Sequence, residues 1–586
     1  MAVTQHVLGA VDYVVLVLVM LVSSAIGVYY RFTGGKQKTM KEYLHADKNM
    51  PIGPVAFSLM ASFMSAITLL GVSSENYTYG IQFIVINISY GLFTPLAAYL
   101  YLPVFFHLQA TSAYEYLEKR FGKTSRLAAS LAYTLQMTLY NGIVLYAPAL
   151  ALEALTGISR MAAILSVGLV CTFYSTIGGM KAVLMTDVFQ SLLMFVAVFS
   201  VIIFAVIDKG SVAEIWRIAA EGNRTELLTF NPDPTVRHSW FSLIIGGGVT
   251  FLSLYGVNQT QVQRYLTVKD LKTAQKAMWL NWPILTALSL STSFSGLAIY
   301  SRFYKCDPYD SGAITSFDQL MPYYVVDTMG DIPGLSGLFV AGIFSASLST
   351  ISAAVNSLAA ITVEDYYKPL YYAIRKKPLP EKTVTVQTKL IALVFGLVFI
   401  GVAFLAQFLG GILQASLTIF GVIGGPLLGL FSLGMFWTTP NEKGSVVGLV
   451  CGMGFALWMA FGNKPPAVML PRSTEGCSVA VNATVTSPID YSAYLWVHKV
   501  SYLYNGVFGL LITVVIGYLL SLVVRLRWGK KVDEEDYDPH LFIGPVARRL
   551  KRRMNGELNL TNLTSLTDLS TSTDNLRNGT KSNRKY

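Results

Sequence analysis

The stretch SLMASFMSAITLLG, Ser58 to Gly71, decides the fold. It follows Pro51 and Pro54 and reads as an apolar membrane helix interrupted by Ser62, Ser65 and Thr68. Five spans later, another apolar helix carries Gly246, Gly247 and Gly248. Irregular backbone at membrane depth is tolerated where it lines a cavity, and interrupted helices at corresponding places in two halves point to a transporter's midplane site. The offset fits two five-helix inverted repeats, spans two to six and seven to eleven, with one helix before and two after. Taken singly, either interruption is explained equally well by close helix packing.

Composition agrees with that class. Hydrophobic residues make up 53% of the 586-residue chain and charged residues only 13%, which identifies an all-α polytopic membrane protein. Apolar runs of about twenty residues recur along it, and the length rule gives about thirteen spans. Their centres fall near Val19, Ala66, Tyr90, Leu139, Val170, Phe195, Val249, Leu288, Ser349, Leu397, Gly421, Phe455 and Thr513. The opening MAVTQH carries no Lys or Arg, and no cleavage-like site follows the first span, so that span reads as a retained helix.

Within the ninth span, FSASLSTISAAVNSL, Phe344 to Leu358, gathers hydroxyl side chains in an apolar setting. Ser345, Ser349 and Ser352 share a helical face, with Thr350 beside them. Neutral oxygens suit a small hard cation such as Na⁺. Packing and bonds to the helix's own carbonyls explain such a patch at least as readily.

Positive charge sets the orientation. Arg31, Lys36, Lys38, Lys41 and Lys48 follow the first span, and Lys119, Arg120, Lys123 and Arg126 the third, which places both loops in the cytoplasm. Arg264 to Lys276, Lys368 to Lys382 and the tail from Arg525 through Arg553 fall on the same side by parity. The N-terminus is then outside and the C-terminus inside. The formal charge of +11 becomes a topology signal and a contact with anionic lipid, with no nucleic-acid partner implied. Asn223 and Asn482 head glycosylation sequons in the two polar loops assigned outside, whereas the sequons at Asn87, Asn258, Asn559, Asn562 and Asn578 are chance matches. Cys306 and Cys477 also fall outside and could pair. The polar run YGVNQTQVQRY, Tyr255 to Tyr265, reads as facing the cytoplasm, and Asp187 as an ionisable group near a membrane edge.

These motifs together resemble the sodium/solute symporter family. They include ASFMSA at Ala61, TSAYEYLEKRF at Thr111, YAPALAL at Tyr146, CTFYSTIGGMKAV at Cys171, FNPDP at Phe230, YGVNQTQVQRY at Tyr255 and LAAITVEDYYKP at Leu358. The similar branch holds sodium-coupled monocarboxylate transporters, the sodium-dependent multivitamin transporter and the sodium/iodide symporter. The resemblance covers roughly residues 10 to 525 and implies a LeuT-like core with sodium-driven uptake by alternating access at the plasma membrane, without an organic cofactor. It implies a sodium site at Ala61, Met64, Ser349 and Thr350 with Ser352 adjacent, and a further one near Ser65, Tyr140 and Asp187. The implied substrate contacts are Phe63, Thr68, Tyr90, Phe251, Leu413, Ser416 and Thr418.

Thr68 stands where the iodide branch has a glutamine, which favours a small organic anion such as lactate, pyruvate or a short-chain fatty acid, with biotin, pantothenate or iodide as alternatives. The expected organisation is the first helix and basic loop at 1–50, repeats at 51–208 and 239–437 separated by an outside loop at 209–238, two peripheral helices at 438–528 enclosing an outside loop at 463–500, and a largely disordered tail at 529–586. A membrane enzyme is disfavoured because all six histidines fall in loops, the tail or span ends. A sodium-gated sensor or channel stays open as another class.

Overall fold

The computed structural model describes residues 8–32, 46–177, 180–408, 410–477, 490–528 and 537–554, which form helices and loops with no strand among them. Helix α1 is Ala10–Phe32. The quoted stretch is split. Helix α2, Ile52–Ala61, stops at Ser62 to Ser65, and the chain resumes through a π-helical turn, Thr68–Val72, into α3, Ser73–Tyr79. The first set is completed by α4, Ile81–Leu108, α5, Lys123–Thr156, α6, Arg160–Ile177, and α7, Met180–Lys209. The second set also begins broken: α8, Ser242–Gly256, gives way at Val257 and Asn258 to α9, Gln259–Tyr265. After it come α10, Leu271–Phe303, α11, Leu335–Ile361, α12, Glu381–Ala406, and α13, Ile412–Phe436. Two peripheral helices follow, α14, Glu442–Phe461, and α15, Asn505–Trp528.

Nine helices among the described residues are long and apolar enough to cross a bilayer, and four shorter apolar ones occupy the remaining expected places. Of the expected span centres, only Ala66 lies outside these helices, at the restart after the first break. Polar caps restart both broken helices. Ser65 Oγ accepts the Ile67 N–H at 3.2 Å, and Asn258 Oδ1 accepts the Thr260 N–H at 2.9 Å, satisfying donors that the break would orphan.

The second break corrects the sequence expectation. Gly246, Gly247 and Gly248 are helical, and a Cβ on them would strike Leu503, Ile86 and Phe93. The glycines serve close packing, while the chain parts beyond them at Val257. Asn258 is buried, as is Asn87, so neither sequon presents an accessible asparagine.

Helix α11 is the central element: every residue from Phe339 to Ile361 is buried, its hydroxyl side chains included. At the periphery, Gly444, Gly448 and Gly452 of α14 lie against Ser521, Gly517 and Thr513 of α15, a small-residue seam that brings the backbones together.

The loops assigned to the cytoplasm gather at one end, here called inner. The Met50 N–H donates to the Thr267 carbonyl, Arg120 donates to the carbonyls of Trp437 and Thr438, and Tyr116 to that of Leu541. The loops assigned outside gather at the other end, where Cys306 and Cys477 form a disulfide with Cα atoms 5.0 Å apart and Asn223 is exposed. Asn482, Lys36, Lys38, Lys41 and the tail beyond Met554 lie outside the described residues.

Candidate functional site

Because α2 ends at Ala61, the carbonyl of this residue is free of the helix ladder, at an end whose dipole favours cations. Two hydroxyls of α11 meet it: Ser349 Oγ donates at 3.0 Å and Thr350 Oγ1 at 3.2 Å. The same hydroxyls reach the Ala346 carbonyl at 3.0 and 3.2 Å. Four neutral oxygens thus converge across two helices, and rotating the hydroxyl hydrogens away would leave a lone pair on each available to an ion. This donor set fits a hard monovalent cation. Ala346 was missed in the sequence because its contribution is a backbone carbonyl three and four residues behind the hydroxyls. Met64 lies in the break itself, while Ser352 Oγ turns back to the Ser349 carbonyl at 3.0 Å. Tyr140 on α5 donates to the Phe63 carbonyl at 3.3 Å, so the break has a second polar partner.

Beside the break opens a narrow cavity of about 80 Å³. Phe63, Thr68, Tyr90, Phe251, Leu413 and Ser416 line it, together with Met64 and Tyr140. Thr418 does not. On α13 the wall is formed by Leu413, Ser416, Leu417 and Phe420, and Thr418 sits two residues from Ser416, about 200° around the helix. Thr250, Tyr255, Ser289 and Phe420 also line the cavity and were not anticipated, although the aromatic pattern on α8 was a signal. Phe251 stacks on Tyr90 and Tyr255 with centroids 5.4 and 4.6 Å apart, and Phe63 packs edge-on to Phe420 at 5.7 Å. The wall carries no Lys, Arg, Asp or Glu among the described residues.

One turn outward, Arg237 Nε donates to Glu75 Oε1 on α3 at 2.7 Å, and its Nη1 donates to Gln414 Oε1 on α13 at 2.9 Å. Asp318 accepts from Ser74 Oγ and from the Ile412 N–H, linking the same two helices. Burial pushes the Asp318 carboxyl up to about 6.

Inward of the break, the run Tyr255 to Tyr265 is buried throughout rather than solvated in the cytoplasm. The Leu59 carbonyl, another freed end of α2, accepts Gln261 Nε2 at 2.9 Å and Tyr255 Oη at 3.4 Å. Asp187 is likewise buried and accepts a hydrogen bond from Ser58 Oγ.

The model of the sodium:solute symporter family matches residues 43–452. A putative sodium-dependent multivitamin transporter of Drosophila melanogaster is 55% identical over 561 residues, covering 93% of each chain. Human sodium-coupled monocarboxylate transporter 1 is 42% identical over 537 residues, 87% of each. Among solved structures, a Na⁺-coupled sialic acid symporter in a substrate-bound outward-open state superposes with a TM-score of 0.72 at 24% identity, covering 88% of this chain and 98% of the other, which establishes the shared fold.

Proposed function

The chain belongs to the sodium:solute symporter family, and from that premise we propose that it imports a vitamin-sized monocarboxylate with sodium across the plasma membrane. It is a multi-pass, sodium-coupled transporter of small solutes and not an enzyme. The observation that carries the substrate reading is the cavity, which is aromatic and free of cationic side chains along its wall. An organic acid would bury its apolar body against Phe63, Phe251 and Phe420, and its carboxylate would be met by the hydroxyls of Thr68, Ser416 and the tyrosines. A bound sodium supplies the positive charge that the wall lacks. The 55% identical relative favours biotin or pantothenate over lactate-sized acids, while the monocarboxylate relatives favour the smaller acids as the second reading.

In this reading Ala61, Met64, Ala346, Ser349 and Thr350 hold one sodium. Ser352 lies adjacent to it, and Ser65, Tyr140 and Asp187 serve a further one. Sodium bridging α2 and α11 would stabilise the outward-open form and order the break, so that substrate binds second and closes the site. A membrane potential adds about 2.3 kcal/mol per charge per 100 mV to inward movement. Tracer uptake in expressing cells, with sodium or choline outside, tests the reading across biotin, pantothenate, lactate, pyruvate, short-chain fatty acids and iodide. Sodium-dependent accumulation of biotin or pantothenate is expected. Accumulation of lactate alone would move the substrate to the smaller class, and sodium currents with no accumulation would indicate a sensor or channel.

A further inference from the structure

Arg264 is fully buried on α9, just inward of both breaks. Its Nε donates to Ser58 Oγ on α2 at 2.8 Å, its Nη1 to the Thr260 carbonyl on its own helix at 2.9 Å, and its Nη2 faces Asp187 Oδ2 on α7 at 3.5 Å. Ser58 closes the triangle by bonding the same carboxylate oxygen. One guanidinium thereby joins the inner halves of both broken helices to the last helix of the first set. Asp187 Oδ1 and both amide atoms of Gln190, one turn further along α7, make no hydrogen bond among the described residues. The carboxylate thus keeps one oxygen uncommitted.

A buried ion pair is a poor stabilising device, because desolvation offsets the attraction, but removing one partner strands the other charge. A symporter must also reorient after releasing its cargo. If sodium were the sole counter-charge of Asp187, the empty carrier would have to protonate the carboxylate or reorient around a bare buried charge. We propose that Arg264 is a tethered cation that neutralises Asp187 when sodium is absent, permits the empty carrier to return, and yields the carboxylate when sodium arrives. A guanidinium cannot leave by losing its proton, so it must yield by moving. The contact lengths suit this role: the bonds to Ser58 and Thr260 are the short ones, and the contact to Asp187 is the long one.

This inference rests on the sodium-coupled reading above and makes Arg264 a positioning residue. The test uses the full-length protein in proteoliposomes, with the best-transported acid of the uptake panel as tracer, and compares net sodium-driven uptake with exchange against the same unlabelled acid inside. Exchange bypasses the empty-carrier step. Arg264→Gln is expected to lower net uptake at least about tenfold more than exchange, and Arg264→Lys, which keeps the charge but not the three-armed fork, to recover part of the net uptake. The neutral pair Asp187→Asn/Arg264→Gln strands no charge and should regain net uptake over Arg264→Gln, at a higher sodium concentration. Equal loss of net uptake and exchange in Arg264→Gln, or no recovery in either companion variant, overturns the assignment. Sodium coupling itself is read separately from the wild type in the same vesicles.

Discussion

Removing one hydroxyl from the α11 cluster should weaken sodium binding far more than it weakens the fold. Without an ion, Ser349 Oγ gives the Ala61 carbonyl one hydrogen bond of 3.0 Å, and Thr350 Oγ1 gives it another of 3.2 Å. Ser349→Ala therefore leaves that carbonyl satisfied by Thr350, and the fold loses about 1 kcal/mol, the net worth of one neutral hydrogen bond. With sodium present, the same oxygen faces a full charge, where such an interaction is worth about 1.5–3 kcal/mol. At about 1.4 kcal/mol per factor of ten, half-saturating sodium should rise about 10- to 100-fold. Thr350→Ala should act alike. The assay is tracer uptake against external sodium, normalised to surface biotinylation of each variant. Unchanged half-saturating sodium in both variants, with normal surface amounts, would refute the cage.

Three other outcomes follow from the geometry. Cys306 and Cys477 should resist maleimide until reduced, and Cys306→Ser should cost about 2–5 kcal/mol, read as a lower melting temperature in detergent, because the bridge closes a separation of 171 residues. The Asp318 carboxyl, raised by burial to about 6, contributes stability that is fully present below the ordinary aspartate value and is lost as pH rises through about 6. Asp318→Asn should therefore gain on the wild type by up to about 3 kcal/mol at about pH 7.5, with the gap closing toward about pH 5 in thermal melts, and a gap independent of pH would contradict the burial argument. Gly248→Val should press on Phe93 and cost about 1–3 kcal/mol, lowering yield but not sodium affinity; a shift in half-saturating sodium would instead make the triple glycine part of the moving site.

Much of this was legible in the sequence because the informative side chains declare their chemistry. A serine inside an apolar helix needs a partner, and Ser62 and Ser65 do mark the first break. Ser349 and Thr350 were visible for the same reason, and they meet the carbonyl expected of them. What stayed hidden has physical causes. Ala346 acts through its backbone, which its side chain does not announce. Glycine marks both flexible backbone and close approach; at Gly246 to Gly248 it is approach, and the true signal of the break was the capping Asn258. Arg264 was counted among cytoplasmic charges because a charge tally weighs residue type without its partner, and that partner, Asp187, lies 77 residues earlier in the chain. Thr418 was set in the wall with Ser416 although the helical turn carries it to another face.

The central claim is that a sodium gradient alone drives concentrative entry of an organic acid through this fold. Purified protein in proteoliposomes, given an inward sodium gradient and no other energy source, should accumulate labelled biotin or pantothenate above the outside concentration, with labelled sodium entering in fixed proportion. Accumulation should collapse when the gradient is dissipated. Equilibration without accumulation, or uptake indifferent to sodium, would contradict the account.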